Sequence, residues 1–154
     1  YASNSFINRH FYNGNGLKKD LNIYLKTNYS PFKKVNLFAD LQYRNVNYKI
    51  SGTDIGFVPL NENVFYDFFN PKAGISYQIN SHHNIYALSA ISNREPVRSD
   101  FTDNANNKNP KHESLRNVEA GYRYAISKWT LNANYYLMHY KNQLVLTGEL
   151  NDVG

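Results

Sequence analysis

The stretch KHESLRNVEAGYRYAISKWTLNANYYLMHYKNQLVLTG, Lys111–Gly148, holds two alternating runs joined by a few residues. In the second run Trp129, Leu131, Ala133, Tyr135 and Leu137 share one parity. Thr130, Asn132, Asn134, Tyr136, Met138, Tyr140 and Asn142 take the other. Successive side chains of a β-strand point to opposite faces, so this run predicts one apolar face and one amide-rich face. The first run divides the same way, with Val118, Ala120, Tyr122 and Tyr124 against Asn117, Glu119, Gly121 and Arg123.

The rest of the chain repeats that division. Leu21, Ile23, Leu25, Thr27 and Tyr29 oppose Asp20, Asn22, Tyr24, Lys26 and Asn28. Val35, Leu37, Ala39, Leu41 and Tyr43 oppose Asn36, Asp40, Gln42 and Arg44, in a strand expected to run to about Ile50. Phe69, Ala73, Ile75, Tyr77 and Ile79 oppose Asn70, Lys72, Ser76 and Gln78, with Pro71 predicting a bulge or a break in the ladder. Ile85, Ala87, Ser89 and Ile91 oppose Tyr86, Ser92 and Arg94. Six strands are clear, and a weaker one lies around Phe6, Ile7 and Phe11. Asn13-Gly14-Asn15-Gly16 reads as a turn. Short turns are expected at 30–34, 80–84 and 126–128, and long loops at 51–64, 95–114 and from Gly148 onward. Their strict alternation predicts an antiparallel meander with every short turn at one end, as in outer-membrane barrels.

Composition agrees with strands that divide large rings from amides. The chain has 154 residues, with 14 Tyr and 9 Phe, yet its mean hydropathy is −0.64. It has no Cys, so neither disulfides nor thiolate metal sites arise. No run approaches the ~18 apolar residues of a membrane helix, whereas alternating membrane strands average out in hydropathy. The net charge of +5 is scattered and forms no stripe of the kind nucleic acid requires. The chain opens at Tyr1 and closes at Gly154 and reads as a piece of a longer protein.

Tyr29, Tyr77, Tyr124 and Trp129 share the apolar parity, and each sits beside a short turn. They are expected to form an aromatic girdle at one membrane interface, with Tyr43, Phe69 and Tyr135 toward the opposite one. Asp20, Lys26, Asp40, Arg44, Lys72, Arg94, Glu119 and Arg123 all take the opposite parity. A charge facing lipid costs ~2–4 kcal/mol near the midplane, so these residues are expected to line a lumen and to pair across strands.

The segments FADLQYRNVNYKISG (38–52), FFNPKAGISYQI (68–79), SNREPVRSDFTD (92–103), NVEAGYRY (117–124) and YYLMHYKNQLVLTGELNDVG (135–154) occur in this order. In that order they resemble the barrel of TonB-dependent outer-membrane receptors, particularly the Bacteroidetes type. The resemblance implies a segment of a barrel of ~22 strands in a Gram-negative outer membrane, without its plug or its remaining strands. It implies energy-coupled uptake of a scarce nutrient: siderophore, haem, cobalamin, glycan or peptide. The implied partners are the receptor's own plug, TonB acting through an N-terminal part, the nutrient, outer-membrane lipid and a surface lipoprotein. Two alternatives stay open: a complete small outer-membrane barrel, and a soluble β-sandwich that binds carbohydrate through its tyrosines.

No catalytic constellation is legible, and no enzyme activity, cofactor or metal is expected. Adjacent His82 and His83 read as exposed turn residues, and His112 as a loop residue. Asp100, Asp103 and Asn104 lack the spacing and the glycine of an EF-hand. Phe57, Phe101, Asn104, Asn106, Asn107 and Asn109 are the loop candidates for ligand capture.

Overall fold

A computed structural model describes residues 13–53, 59–102 and 110–143. The described strands are β1 (Asn13–Phe32), β2 (Val35–Thr53), β3 (Pro59–Gln78), β4 (His83–Arg94), β5 (Glu113–Ile126) and β6 (Trp129–Lys141). They form one antiparallel sheet in sequence order, the meander that the alternation predicts. A five-residue helix, α1 (Arg98–Thr102), lies between β4 and β5. The first three strands are 19 to 20 residues long and the last three 12 to 14.

Cross-strand partners share a face, so the register assigns every side chain. Lys26 pairs with Asp40, Asp40 with Lys72, Lys72 with Ala90, and Ala90 with Asn117. Arg94 pairs with Glu113, and Glu119 with Tyr136. All eight ionisable residues named from parity therefore stand on one face, here the Arg44 face. On the other, the Leu41 face, Leu25 pairs with Leu41, Tyr77 with Val35 and Ile85, and Tyr124 with Leu131.

Four expectations are corrected. The Asn13–Gly16 stretch is not a turn; it pairs with Thr53–Ile50 as the first part of β1. Gly14 serves close approach instead, since a Cβ there would come 2.6 Å from Arg98 Nη1. The long loop at 51–64 is largely strand, because β2 runs to Thr53 and β3 starts at Pro59. The Gly52 that suggested a loop lies inside the ladder at φ 134°, a conformation that favours glycine. The Ser30-Pro31 pair does not end β1. The strand continues to Phe32 with a register shift between Tyr29 and Phe32, and Lys33-Lys34 make the turn.

Pro71 divides its effect. The β2–β3 register runs unbroken through Leu41↔Pro71, so no bulge forms there. The β3–β4 ladder, however, stops at Lys72↔Ala90. Proline has no N–H to give the next strand. Asn93 of β4 instead donates its backbone N–H (2.9 Å) and its Nδ2 (2.8 Å) to Asn70 Oδ1, so a side-chain clamp replaces the missing ladder.

The last correction concerns the histidines. His82 is exposed, but His83 opens β4 with its Nδ1 2.6 Å from Tyr122 Oη and its ring 4.8 Å from that of Tyr124. Asn80 Oδ1 shapes this turn by accepting from the backbone N–H of both His82 and His83.

Candidate functional site

The Arg44 face carries the polar chemistry. Towards the short turns, Lys26 and Asp40 form an ion pair at 3.4 Å, and Lys72 Nζ lies 5.7 Å from the centre of the Phe38 ring. Tyr86 donates its hydroxyl to Glu119. The Tyr86 ring lies over Gly121, and the Phe38 ring over Gly74, where a Cβ would meet each ring.

Mid-height, a row of amides crosses four strands. Asn93 donates to Asn70, Asn70 to Gln42 (3.0 Å), and Gln42 to Asn22 (3.1 Å). Each amide offers both donor and acceptor, so one side chain can pass the row to the next. Asn22, Gln42 and Asn70 of this row line an open concavity of about 600 Å³, with Tyr24, Lys26, Asp40 and Lys72 around them.

Higher still, the chain folds over its own sheet. After Arg94, which pairs with Glu113 at 3.2 Å, it crosses the Arg44 face. Glu95, only 7% exposed, lands between Lys18 of β1 and Arg44 of β2. Lys18 Nζ donates to Glu95 Oε1 at 2.6 Å. Arg44 donates Nη1 and Nη2 to the two Glu95 oxygens, each at 2.8 Å, and keeps Nε and Nη2 on Asp20. One guanidinium thus bridges two carboxylates, the bidentate geometry at which arginine excels. Burial pushes the Glu95 carboxyl up, but hydrogen bonds from Lys18, its own backbone and Arg44 outweigh that and hold it below the usual value. Asp100 then closes the entry to α1, its Oδ2 accepting from the Val97 N–H at 2.7 Å.

Beneath this crossing lies an apolar cluster. Val46 and Ile50 are fully buried, Phe68 is 2% exposed and Leu60 8%. Pro96, in the crossing segment, is also buried, and the His112 ring meets those of Tyr66 and Phe68 edge-on. Burying four such side chains contributes about 1.5–3 kcal/mol each to this end of the sheet.

The structure brings Asp20 and Arg44 together and pairs Lys26 with Asp40, as the cross-strand reasoning expects. It also shows three things missed by sequence reasoning. Glu95 and Lys18 belong to the Arg44 network, the amide row links four strands, and Val46, Ile50 and Phe68 are buried on the polar parity. The last had a legible signal: after Arg44 the apolar parity of β2 inverts. Phe101 falls in α1. Phe57, Asn104, Asn106, Asn107, Asn109 and Asp103 lie outside the described residues. Among the described residues, no group of three or more metal-ligating side chains is placed to hold a metal ion.

The Leu41 face is the reverse. Leu21, Ile23, Leu25, Leu131 and Leu137 are each more than half exposed, Tyr29 is 63% exposed and Trp129 77%. Among the described residues no second layer covers them.

A bare apolar face behind a charged one is the arrangement of a membrane barrel wall, and comparison bears this out. The family described as TonB dependent receptor-like, beta-barrel, matches residues 2–154. The chain belongs to that family. Solved structures of similar fold include the FrpB iron transporter from Neisseria meningitidis (F3-3 variant), at TM-score 0.60 and 21% identity over 79% of this chain and 18% of that one. The ferric-catecholate import receptor Fiu from E. coli K12 is similar in its open form, at TM-score 0.66 and 16% identity over 85% of this chain and 21% of Fiu. Its closed form gives TM-score 0.66 and 18% identity over 92% and 23%. The chain therefore spans about a fifth of the length of these structures. No curated protein matches by sequence. At these identities the likeness establishes the fold of the TonB-dependent receptor barrel.

Proposed function

We propose that this chain is barrel wall of a TonB-dependent transporter of the Bacteroidetes type. The Leu41 face meets lipid and the Arg44 face lines the lumen. The whole protein, a barrel of ~22 strands, takes up a scarce nutrient across a Gram-negative outer membrane. The nutrient classes are siderophore, haem, cobalamin, glycan and peptide. Its partners are a plug domain, TonB, the nutrient, outer-membrane lipid and a surface lipoprotein. The chain acts in transport, not as an enzyme. Iron compounds come first among the nutrients, because the similar structures are an iron transporter and a ferric-catecholate receptor.

The observation that carries the reading is the sorting of side chains by face. Asp20, Lys26, Asp40, Arg44, Lys72, Arg94, Glu119 and Arg123 stand together, while Tyr29, Tyr77, Tyr124 and Trp129 stand opposite among exposed aliphatics. From Val35 to Tyr43 the apolar band is about 27 Å along the strand and about 20 Å once tilted, near the ~25 Å of known outer-membrane barrels. The short turns then mark the periplasmic end. The test is fractionation of cells making the intact protein: it partitions with the outer membrane, and recovery in the soluble fraction contradicts the proposal.

A further inference from the structure

The short-turn end carries charge of one sign. Three of the intervals between acidic residues are 21–39, 68–94 and 120–148. Each contains one short turn. Within them the turns hold Lys33 and Lys34, then His82 and His83, then Lys128, with Arg123 close by.

The turns are stitched side by side. Gln78 donates its N–H to Lys34 O at 2.8 Å, and Lys34 Nζ donates to Ile79 O at 3.0 Å. Ala125 donates its N–H to His82 O at 2.8 Å. The lysines of the outer two turns therefore stand in one row, about 20 Å long at the usual strand spacing, with the histidine turn between them. Lys33, Lys34 and Lys128 are all exposed. Directly above the row stand Tyr29, Tyr77, Tyr124 and Trp129 on the Leu41 face. Rings at this level sit among lipid headgroups, so ammonium groups one turn further out reach the phosphate layer.

We propose that this row is a binding rim for anionic phospholipid, taking headgroup phosphates of the leaflet at the short-turn end. The proposal rests on the membrane orientation given above. The ligand chemistry follows from the charges: several cations in a row, no neighbouring carboxylate to compete, and an aromatic belt that fixes their depth. Each lysine at an anionic surface contributes about a five-fold preference, or about 1 kcal/mol. A lipid surface fits better than an acidic protein because on the Leu41 face the row continues directly into the apolar band.

The test uses the intact receptor in phosphatidylcholine nanodiscs with a trace of spin-labelled phosphatidylglycerol or spin-labelled phosphatidylcholine. Electron paramagnetic resonance gives the fraction of each lipid held at the protein. We expect phosphatidylglycerol to be preferred by at least about five-fold. The preference collapses in 1 M salt and in the combined variant Lys33→Gln, Lys34→Gln, Lys128→Gln. Equal association of both lipids, or a preference the variant leaves intact, overturns the proposal. So does binding of poly-glutamate at the rim without any lipid preference, which points to an acidic protein instead. A nitroxide at Leu131→Cys keeps the two readings apart. If it lies in the bilayer and the preference is absent, only the rim fails; if it lies in water, the orientation has failed and the rim with it.

Discussion

The two halves of the β2–β3 hairpin share one ladder and one register, yet their faces are sorted in opposite ways. Below Tyr43 and Phe69 the Leu41 face is apolar, and the Arg44 face holds Asp40, Gln42, Asn70 and Lys72. Above them the Leu41 face holds Asn45, Asn47, Lys49, Asn61, Asn63 and Asp67, while Val46, Ile50, Leu60 and Phe68 are buried on the Arg44 face. Phe65, 62% exposed on the Leu41 face, departs from this sorting. Backbone pairing is the same in both halves, so it cannot cause the inversion. What changes is the surroundings. In the proposed orientation the lower half meets lipid outside, and the upper half meets water outside and the folded-back Glu95 segment inside. Asp67 marks the boundary, accepting from Tyr43 Oη and Asn45 Nδ2, each at 2.7 Å.

Substitutions can break each half separately. The largest effect is expected from Phe68→Ala in the upper half, which removes the ring beneath the crossing segment at about 3–5 kcal/mol. Amide exchange at residues 95–102 should rise, with the lower half unchanged. Next is Leu25→Arg in the lower half, where a lipid-facing charge costs about 2–4 kcal/mol in folding into bilayers. The same change at Asn47→Arg, above the boundary, should stay within about 0.5 kcal/mol. If both substitutions are equally costly, the boundary is misplaced.

Smaller is Glu95→Gln, which weakens charge-assisted bonds to Lys18 and Arg44 by about 1–3 kcal/mol and loosens the crossing segment without unfolding the sheet. Acid should act on the same contact. The Glu95 carboxyl titrates below its usual value, so its stabilisation is full above the ordinary glutamate range and fades as pH falls through the lowered value. Proteolysis within residues 95–112 should therefore increase in acid for the native protein and show less pH dependence in Glu95→Gln. The smallest effect belongs to Lys26→Gln. Its pair with Asp40 is well exposed, so folding should change by less than about 1 kcal/mol.

Much of the lower half was legible because it obeys a single rule. Alternation in Leu21–Tyr29, Val35–Tyr43 and Trp129–Leu137 fixes faces whatever the strand's partner is. The upper half obeys the same period, but its polarity depends on what covers it. Val46 and Ile50 lie on the parity that is polar below Arg44, yet both are fully buried. Glycine was the other source of error. Gly14 suggested a turn and Gly52 a loop, whereas in the fold they let Arg98 and the backbone of β1 come close. The role of Glu95 needed a contact between residues 77 positions apart, Lys18 and Glu95, that no local pattern encodes.

The most direct test of the inversion is a series of single cysteines along β2 in the intact receptor, from Leu37 to Ile50. The chain itself has no cysteine to interfere. Each variant is labelled in outer membranes with a lipid-soluble and a water-soluble thiol reagent. Leu37, Ala39, Leu41 and Tyr43 positions should react from the lipid phase, and Asn45, Asn47 and Lys49 from water alone. Lipid-phase labelling that continues through Lys49, or that is equal at odd and even positions below Tyr43, contradicts the account.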